Sequence, residues 1–171
     1  MSLPRPVKRS LQPWLFQVAP YEEESFSHFL GRFRRANYLS SGHLSAMLGK
    51  RPYIVSYWES PSRRRRPSAK DLEQLSQLTG VEEGRLRSMW FPQSIRLHWP
   101  TRLCAQCYKT APWHKLTWQL ADEPNCQVHQ RPLLFQCPQC QSAFQLPSYW
   151  QTGQCDRCEL LFMKMVLPSQ D

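Results

Sequence analysis

The strongest constraint on this chain lies in its last third. Cys104-x-x-Cys107 is followed, after 18 intervening residues, by Cys126-x-x-His129, and Cys137-x-x-Cys140 is followed, after 14, by Cys155-x-x-Cys158. All seven cysteines are used, and one histidine completes the first set. Two donors flanking a tight turn aim at one ion, and a second such pair closes a tetrahedron around Zn²⁺. The expectation is therefore two zinc ions in tandem knuckles.

Other chemistries for these cysteines fare worse. A disulfide framework belongs to a secreted chain with an even cysteine count, whereas the opening MSLPRPVKRSLQPWLF places prolines and bases where a signal peptide needs an apolar run. A cytoplasmic setting is expected. Haem attachment needs histidine directly after C-x-x-C, and here Tyr108, Gln141 and Glu159 stand in that place. An iron–sulfur cluster stays open for the all-cysteine set, but its Cys₃His neighbour favours zinc.

Both sets are complete with four side chains, so neither leaves a coordination position for water, and the zinc is expected to be structural. His98 and His114 are spare donors without a knuckle partner and read as surface or packing residues. An enzyme is not expected. The sequence offers no unassigned carboxylate cluster, no phosphate-cradling glycine loop, no free cysteine once the knuckles are filled, and no H-x-E deaminase signature. No small-molecule substrate is implied.

Charge divides the chain. Residues 1–97 hold 16 Lys/Arg against 8 Asp/Glu, and residues 98–171 hold 6 against 5. Seven thiolates and two Zn²⁺ make the second part slightly acidic, so the positive field belongs to the first. Such a balance suggests that the front half meets nucleic-acid phosphates and the tail meets protein. No apolar run reaches the 18 residues of a membrane span, and no membrane partner is expected.

The front half has helical periodicity. Pro13 to Pro20 brackets a short arm, Trp14-Leu-Phe16-Gln-Val18, whose aromatics either dock on a partner or fold back onto the helices. From Ser25, a plausible N-cap, Phe26, Phe29, Leu30 and Phe33 define one apolar face. A second helix carries Leu44, Met47 and Leu48 and ends at Gly49; a third is expected to open at Pro52 and stop at Pro61. This trio suggests a helix-turn-helix. Ser68 to Asp71 reads as a capping box before Leu72, Leu75 and Leu78, and a last helix is expected over Val81–Trp90. Trp58 and Trp90 read as core residues.

In a DNA-reading module the start of the third helix would present Lys50, Arg51, Tyr53 and Ser56 to the major groove. The adjacent guanidiniums of Arg63, Arg64, Arg65 and Arg66 are candidate phosphate contacts, or else a solvated charged loop.

The run Pro20-Tyr21, Glu24-Ser-Phe-Ser27, Leu30-Gly-Arg-Phe33 and Asn37, followed by Arg102-Leu-Cys104-x-x-Cys107, Trp118, Cys126-x-x-His129, Leu134 and Cys137-Pro-x-Cys140, resembles the TniQ family of Tn7-like transposons. The resemblance spans roughly Trp14 to Cys158, and the short form with its Trp-Leu-Phe arm looks like the TniQ of type V-K CRISPR-associated transposons. It implies a non-enzymatic target-selection adaptor, linking a guide-RNA-bound effector with its R-loop to filaments of the AAA+ ATPase TnsC for RNA-guided DNA insertion. Trp14 and Phe16 are the expected partner contacts. A zinc-ribbon or helix-turn-helix transcription regulator reading a specific duplex is the alternative.

The expected architecture is a mainly α N-terminal helix-turn-helix bundle followed by a small α+β tandem zinc-knuckle or zinc-ribbon domain. Its divisions are an arm at 1–20, helices at 21–92, a linker at 93–99, the metal domain at 100–162 (sites 104–129 and 137–158) and a tail at 163–171.

Overall fold

The computed structural model describes residues 13–60 and 65–165, and the fold is mainly helical with little strand. Helix α1 (Phe26–Ala36) starts where the Ser25 hydroxyl accepts from the His28 amide and buries Phe26, Phe29, Leu30 and Phe33. After it come α2 (Ser41–Met47), capped by Ser40, and α3 (Ile54–Glu59). Pro52 precedes α3 by two residues: a turn closed by the Ile54 amide on the Arg51 carbonyl uses it, so the third helix opens later than expected. Pro61, the expected stop, falls outside the described residues.

Helix α4 (Ala69–Thr79) has the capping box in full, Ser68 and Asp71 each bonding the other's backbone amide, and ends at Gly80 with φ +70°. That left-handed conformation is open to glycine at no steric cost. The last helix of this half is only α5 (Glu83–Arg87), shorter than Val81–Trp90. Met89 and Trp90 still reach the core from the turn beyond it, Trp90 edge-on to Phe26 with ring centroids 4.5 Å apart.

Two ion pairs brace the helices from inside. Arg34 forks onto Glu59 at 2.6 and 3.0 Å, tying the end of α1 to the end of α3. Glu24, almost fully buried, receives Arg32 at 2.7 Å and the His28 ring at 2.5 Å. Burial works to raise the Glu24 carboxyl, but hydrogen bonds from His28 and Arg32 outweigh it and hold the group below its ordinary range.

The second half contains α6 (Ala105–Thr110) and 3-10 turns at Leu116–Gln119, Pro147–Tyr149 and Phe162–Lys164. Its β component is smaller than an α+β domain implies. Among the described residues it consists of isolated antiparallel bridges, because each strand segment lasts only long enough to position a knuckle. The apolar cluster includes Leu103, Tyr108, Trp118, Phe144, Trp150 and Phe162, and extends to Met165.

The halves are in direct contact along α1. Ser27, Gly31 and Arg35 lie at i, i+4 and i+8, one face of the helix away from the phenylalanines, and meet the 3-10 turn Pro147–Tyr149. The Ser148 amide donates to the Ser27 hydroxyl at 3.2 Å, and Arg35 donates to the Ser148 carbonyl. A β-carbon on Gly31 would collide with the Ser148 backbone, so the close approach requires glycine. Just before α1, the Ser25 amide bonds the His114 carbonyl at 2.9 Å and Glu24 bridges Lys115. His114 itself is fully buried, its Nδ1 2.8 Å from the Ser25 hydroxyl and its ring edge-on to Trp118 and Trp150.

Gly31→Ala should therefore lower stability by about 1–3 kcal/mol by forcing the halves apart. Gly42→Ala, whose added carbon meets ordinary contacts at 3.8 Å within α2, should be neutral or slightly stabilising. Equal denaturation midpoints for the two variants would contradict this packing. A second expectation concerns pH. Burial holds the His114 imidazole well below its ordinary 6.5, so the unfolded chain binds a proton more readily than the folded one. Stability should fall as pH drops below about 6.5, and His114→Phe should show a shallower loss in melts between pH 7.5 and 5.

Candidate metal centre

Three of the four knuckles are copies of one backbone device. In the hairpins 125–132, 136–143 and 154–161, the leading cysteine donates its amide to the carbonyl five residues on: Cys126 to Arg131, Cys137 to Ser142 and Cys155 to Leu160. Its own carbonyl accepts from the residue four further on, and that residue takes a positive φ: Gln130 at 52°, Gln141 at 59° and Glu159 at 60°. A bridge between the flanking residues shuts each loop: Asn125 with Pro132, Gln136 with Ala143, Gln154 with Leu161. The fourth knuckle differs, since Cys104 caps α6 and Cys107 lies on the helix.

The bridge between Leu103 and Leu134 joins the Cys104 knuckle to the link between hairpins 125–132 and 136–143, and the bridge between Thr101 and Phe144 ties the start of this half to the end of hairpin 136–143. Arg102, between those two bridge residues, is buried with its guanidinium on the carbonyls of Trp118 and Leu120. It is a strut.

The result brings all eight expected donors into two clusters, Cys104, Cys107, Cys126 and His129, and Cys137, Cys140, Cys155 and Cys158, each with its ligand atoms within 4.8 Å of one another. His129 points Nδ1 inward, 3.2 Å from the Cys107 sulfur and 3.5 Å from that of Cys104. Sulfur–sulfur separations are 3.5 Å for Cys107–Cys126 and Cys137–Cys158, and 3.6 Å for Cys140–Cys155. A disulfide is about 2.05 Å, whereas a tetrahedron with metal–sulfur bonds of about 2.3 Å has edges near 3.8 Å. The clusters thus fit four-coordinate ions and not disulfides.

Two of the thiols are tuned for that role, whereas burial pushes those of Cys104 and Cys107 up. The Ser142 hydroxyl, 3.0 Å from the Cys140 sulfur, pulls that thiol down to about 6. Burial pushes the Cys126 thiol up, but hydrogen bonds from His129 and from the other two cysteines of its set outweigh it and bring it to about 7. The thiolate is the ligand form, so these two sulfurs are ready to bind near neutral pH. Ser142 also lies 3.4 Å from the Cys155 sulfur, and nothing in the C-x-x-C pattern singled it out.

The expected phosphate contacts are scattered. Lys50 is committed to Asp71 at 2.5 Å, which removes it from a free basic face. Arg66 is half-buried and reaches the Pro92 carbonyl at 3.4 Å. Arg63 and Arg64 lie outside the described residues. Ser56 bonds the Ser41 hydroxyl at 3.0 Å and so belongs to the α2–α3 contact. Arg51 and Arg65 stay exposed, and an aromatic row connects them: Arg51 donates to the Tyr53 hydroxyl at 3.0 Å, Tyr53 meets Tyr57 edge-on at 5.2 Å, and Arg65 sits over the Tyr57 ring at 5.5 Å.

The arm divides. Trp14 packs on the helical core and donates its amide to the Leu78 carbonyl at 2.9 Å, while Leu15 and Phe16 remain exposed. Asn37, which caps the end of α1, grips Phe16 like a neighbouring strand, accepting from its amide at 3.1 Å and donating to its carbonyl at 2.8 Å.

No protein-family model matches the chain, and no curated protein matches it.

Elemental analysis of the purified chain should find two thiophilic ions, and Cys137→Ser should reduce the count to one while leaving the Cys104 cluster filled. Retention of both ions by Cys137→Ser would contradict the assignment.

Proposed function

We propose that this chain is a non-enzymatic adaptor, held in shape by two structural zinc ions, that links a guide-RNA-bound effector on target DNA to filaments of the AAA+ ATPase TnsC. The carrying observation is the pairing of two closed four-donor clusters with a separate cation–aromatic row on the helical half. Closed clusters supply shape instead of a reaction site, and zinc is the ion whose ligand set and tetrahedral bond lengths they fit best. A row of Arg51, Tyr53, Tyr57 and Arg65 offers guanidiniums to phosphates and rings to unpaired bases, which suits contact with RNA or an R-loop strand. The resemblance of the α1 and knuckle motifs to TniQ supplies the partners.

A duplex-reading transcription regulator is the rival reading, and the short α2–α3 pair favours it. Against it, α3 has six residues, of which Val55, Trp58 and Glu59 face inward, leaving few positions for base edges.

Omission of the protein from reconstituted RNA-guided insertion should abolish targeted products, and the chain should co-sediment with ATP-bound TnsC filaments on DNA. Normal targeted insertion without it would refute the adaptor reading, and tight sequence-selective duplex binding by the isolated chain would favour the rival. Replacing Arg51 and Arg65 by alanine should flatten the salt dependence of nucleic-acid binding by up to about 0.9 log units for each phosphate no longer neutralised. Unchanged slopes would remove the cation–aromatic row from the interface.

A further inference from the structure

Beside the all-cysteine cluster lies a cavity of about 80 Å³ whose walls have no role in binding the ion. Its floor is aromatic, formed by the buried Phe144, Trp150 and Phe162, and Tyr149, exposed over more than half its surface, forms one lip. The rim is polar and uncharged except at one point: Gln145, Gln151, Thr152 and Gln154 line it, and Asp156 supplies a single carboxylate. At about 10–15 Å³ per water, this volume accommodates a group several heavy atoms in size.

The rim is arranged and partly uncommitted. Trp150 donates its indole N–H to the Gln145 carbonyl at 3.1 Å, and the Gln145 amide donates to Asp156 Oδ2 at 3.0 Å. Those two bonds fix the Asp156 side chain at the cavity edge. Asp156 Oδ1 and the side chains of Gln151, Thr152 and Gln154 take no hydrogen bond among the described residues, leaving several acceptor oxygens around an aromatic floor. The charge nearby is negative. Gln154 and Asp156 flank the ligand Cys155, and four thiolates around one divalent ion carry a net formal charge of −2. Arg157 does not line the cavity, and Arg35 spends its guanidinium on the carbonyls of Ser148 and Trp150.

We propose that this cavity receives an arginine side chain presented by a partner protein. A guanidinium is planar and stacks on an aromatic ring, and its fork of five donors matches a carboxylate beside amide oxygens. A lysine ammonium would gain the charge but not the stacking or the fork. A nucleobase could stack too, but it would carry its phosphate into the negative field of Asp156 and the thiolates. The site stands whether or not the adaptor reading holds, because it rests on the chemistry of its own walls.

The test uses the full zinc-loaded chain and three probes, N-acetylarginine amide, its uncharged isostere N-acetylcitrulline amide, and adenosine monophosphate. The readout is the NMR shift of the Trp150 indole N–H and of the glutamine side-chain amides. The arginine probe should produce saturable shifts confined to these signals, with the citrulline probe about 10-fold weaker or more, as expected when a charge-assisted hydrogen bond becomes a neutral one. Asp156→Asn should weaken the arginine probe by a similar factor while keeping two metal ions. Tyr149→Ala, at an exposed position with little risk to folding, should also weaken it. Absence of saturable shifts would overturn the proposal. So would equal binding of arginine and citrulline probes, tighter binding of the nucleotide at these signals, or unchanged arginine binding by both variants.

Discussion

Convergence of eight donor side chains into two four-donor clusters is the constraint on which the second half depends, because here the candidate ligands are the core. Cys104, Cys107, Cys126, Cys137 and Cys155 are buried among Leu103, Tyr108, Trp118, Phe144 and Trp150, and few apolar residues remain to fill the space between the hairpins. Each cluster brings together segments that no continuous sheet connects among the described residues. A domain this small has little spare burial, and metal binding at such clusters would contribute on the order of 10 kcal/mol. Without an ion, a set of converging sulfurs would face one another in a poorly solvated space, held together by nothing stronger than weak hydrogen bonds.

Helix α1 extends that constraint to the rest of the molecule. One face carries the phenylalanines into the helical core, and the face bearing Ser27, Gly31 and Arg35 lies on the Pro147–Tyr149 turn between the ligands Cys140 and Cys155. The backbone contacts of Glu23 and Ser25 with Leu116 and His114 add a second seam. Loss of order around the clusters therefore reaches the helices through one shared element.

Much of this could be read from residue types alone, because the signals were local. Knuckle spacing named all eight donors, and Ser25 and Ser68 marked their helix starts by capping. What escaped was long-range. Lys50 looked free until folding brought Asp71 beside it, Trp14 and Phe16 looked equivalent until one packed on the core and the other was left out, and of the two readings of His114, surface or packing, its enclosure between the halves selects packing. Tyr57 gave no signal because its importance lies in bridging Tyr53 and Arg65 across a turn. The spacing of Ser27, Gly31 and Arg35 was a readable sign of a second packed face, since a small residue between two polar ones on a helix marks a close approach.

The repeated hairpin has a consequence for how the molecule assembles. Each loop closes within eight residues through contacts that involve no metal, and hairpins of that size form on the microsecond scale. The slower events are the encounters between loops separated by longer stretches of chain. In the all-cysteine cluster both donor pairs sit on such loops, so an incoming ion would meet donors arranged in pairs and not four independent side chains, whereas the first cluster pairs one loop with α6. Order of events, and not only final strength, is written into the positive-φ residues Gln130, Gln141 and Glu159.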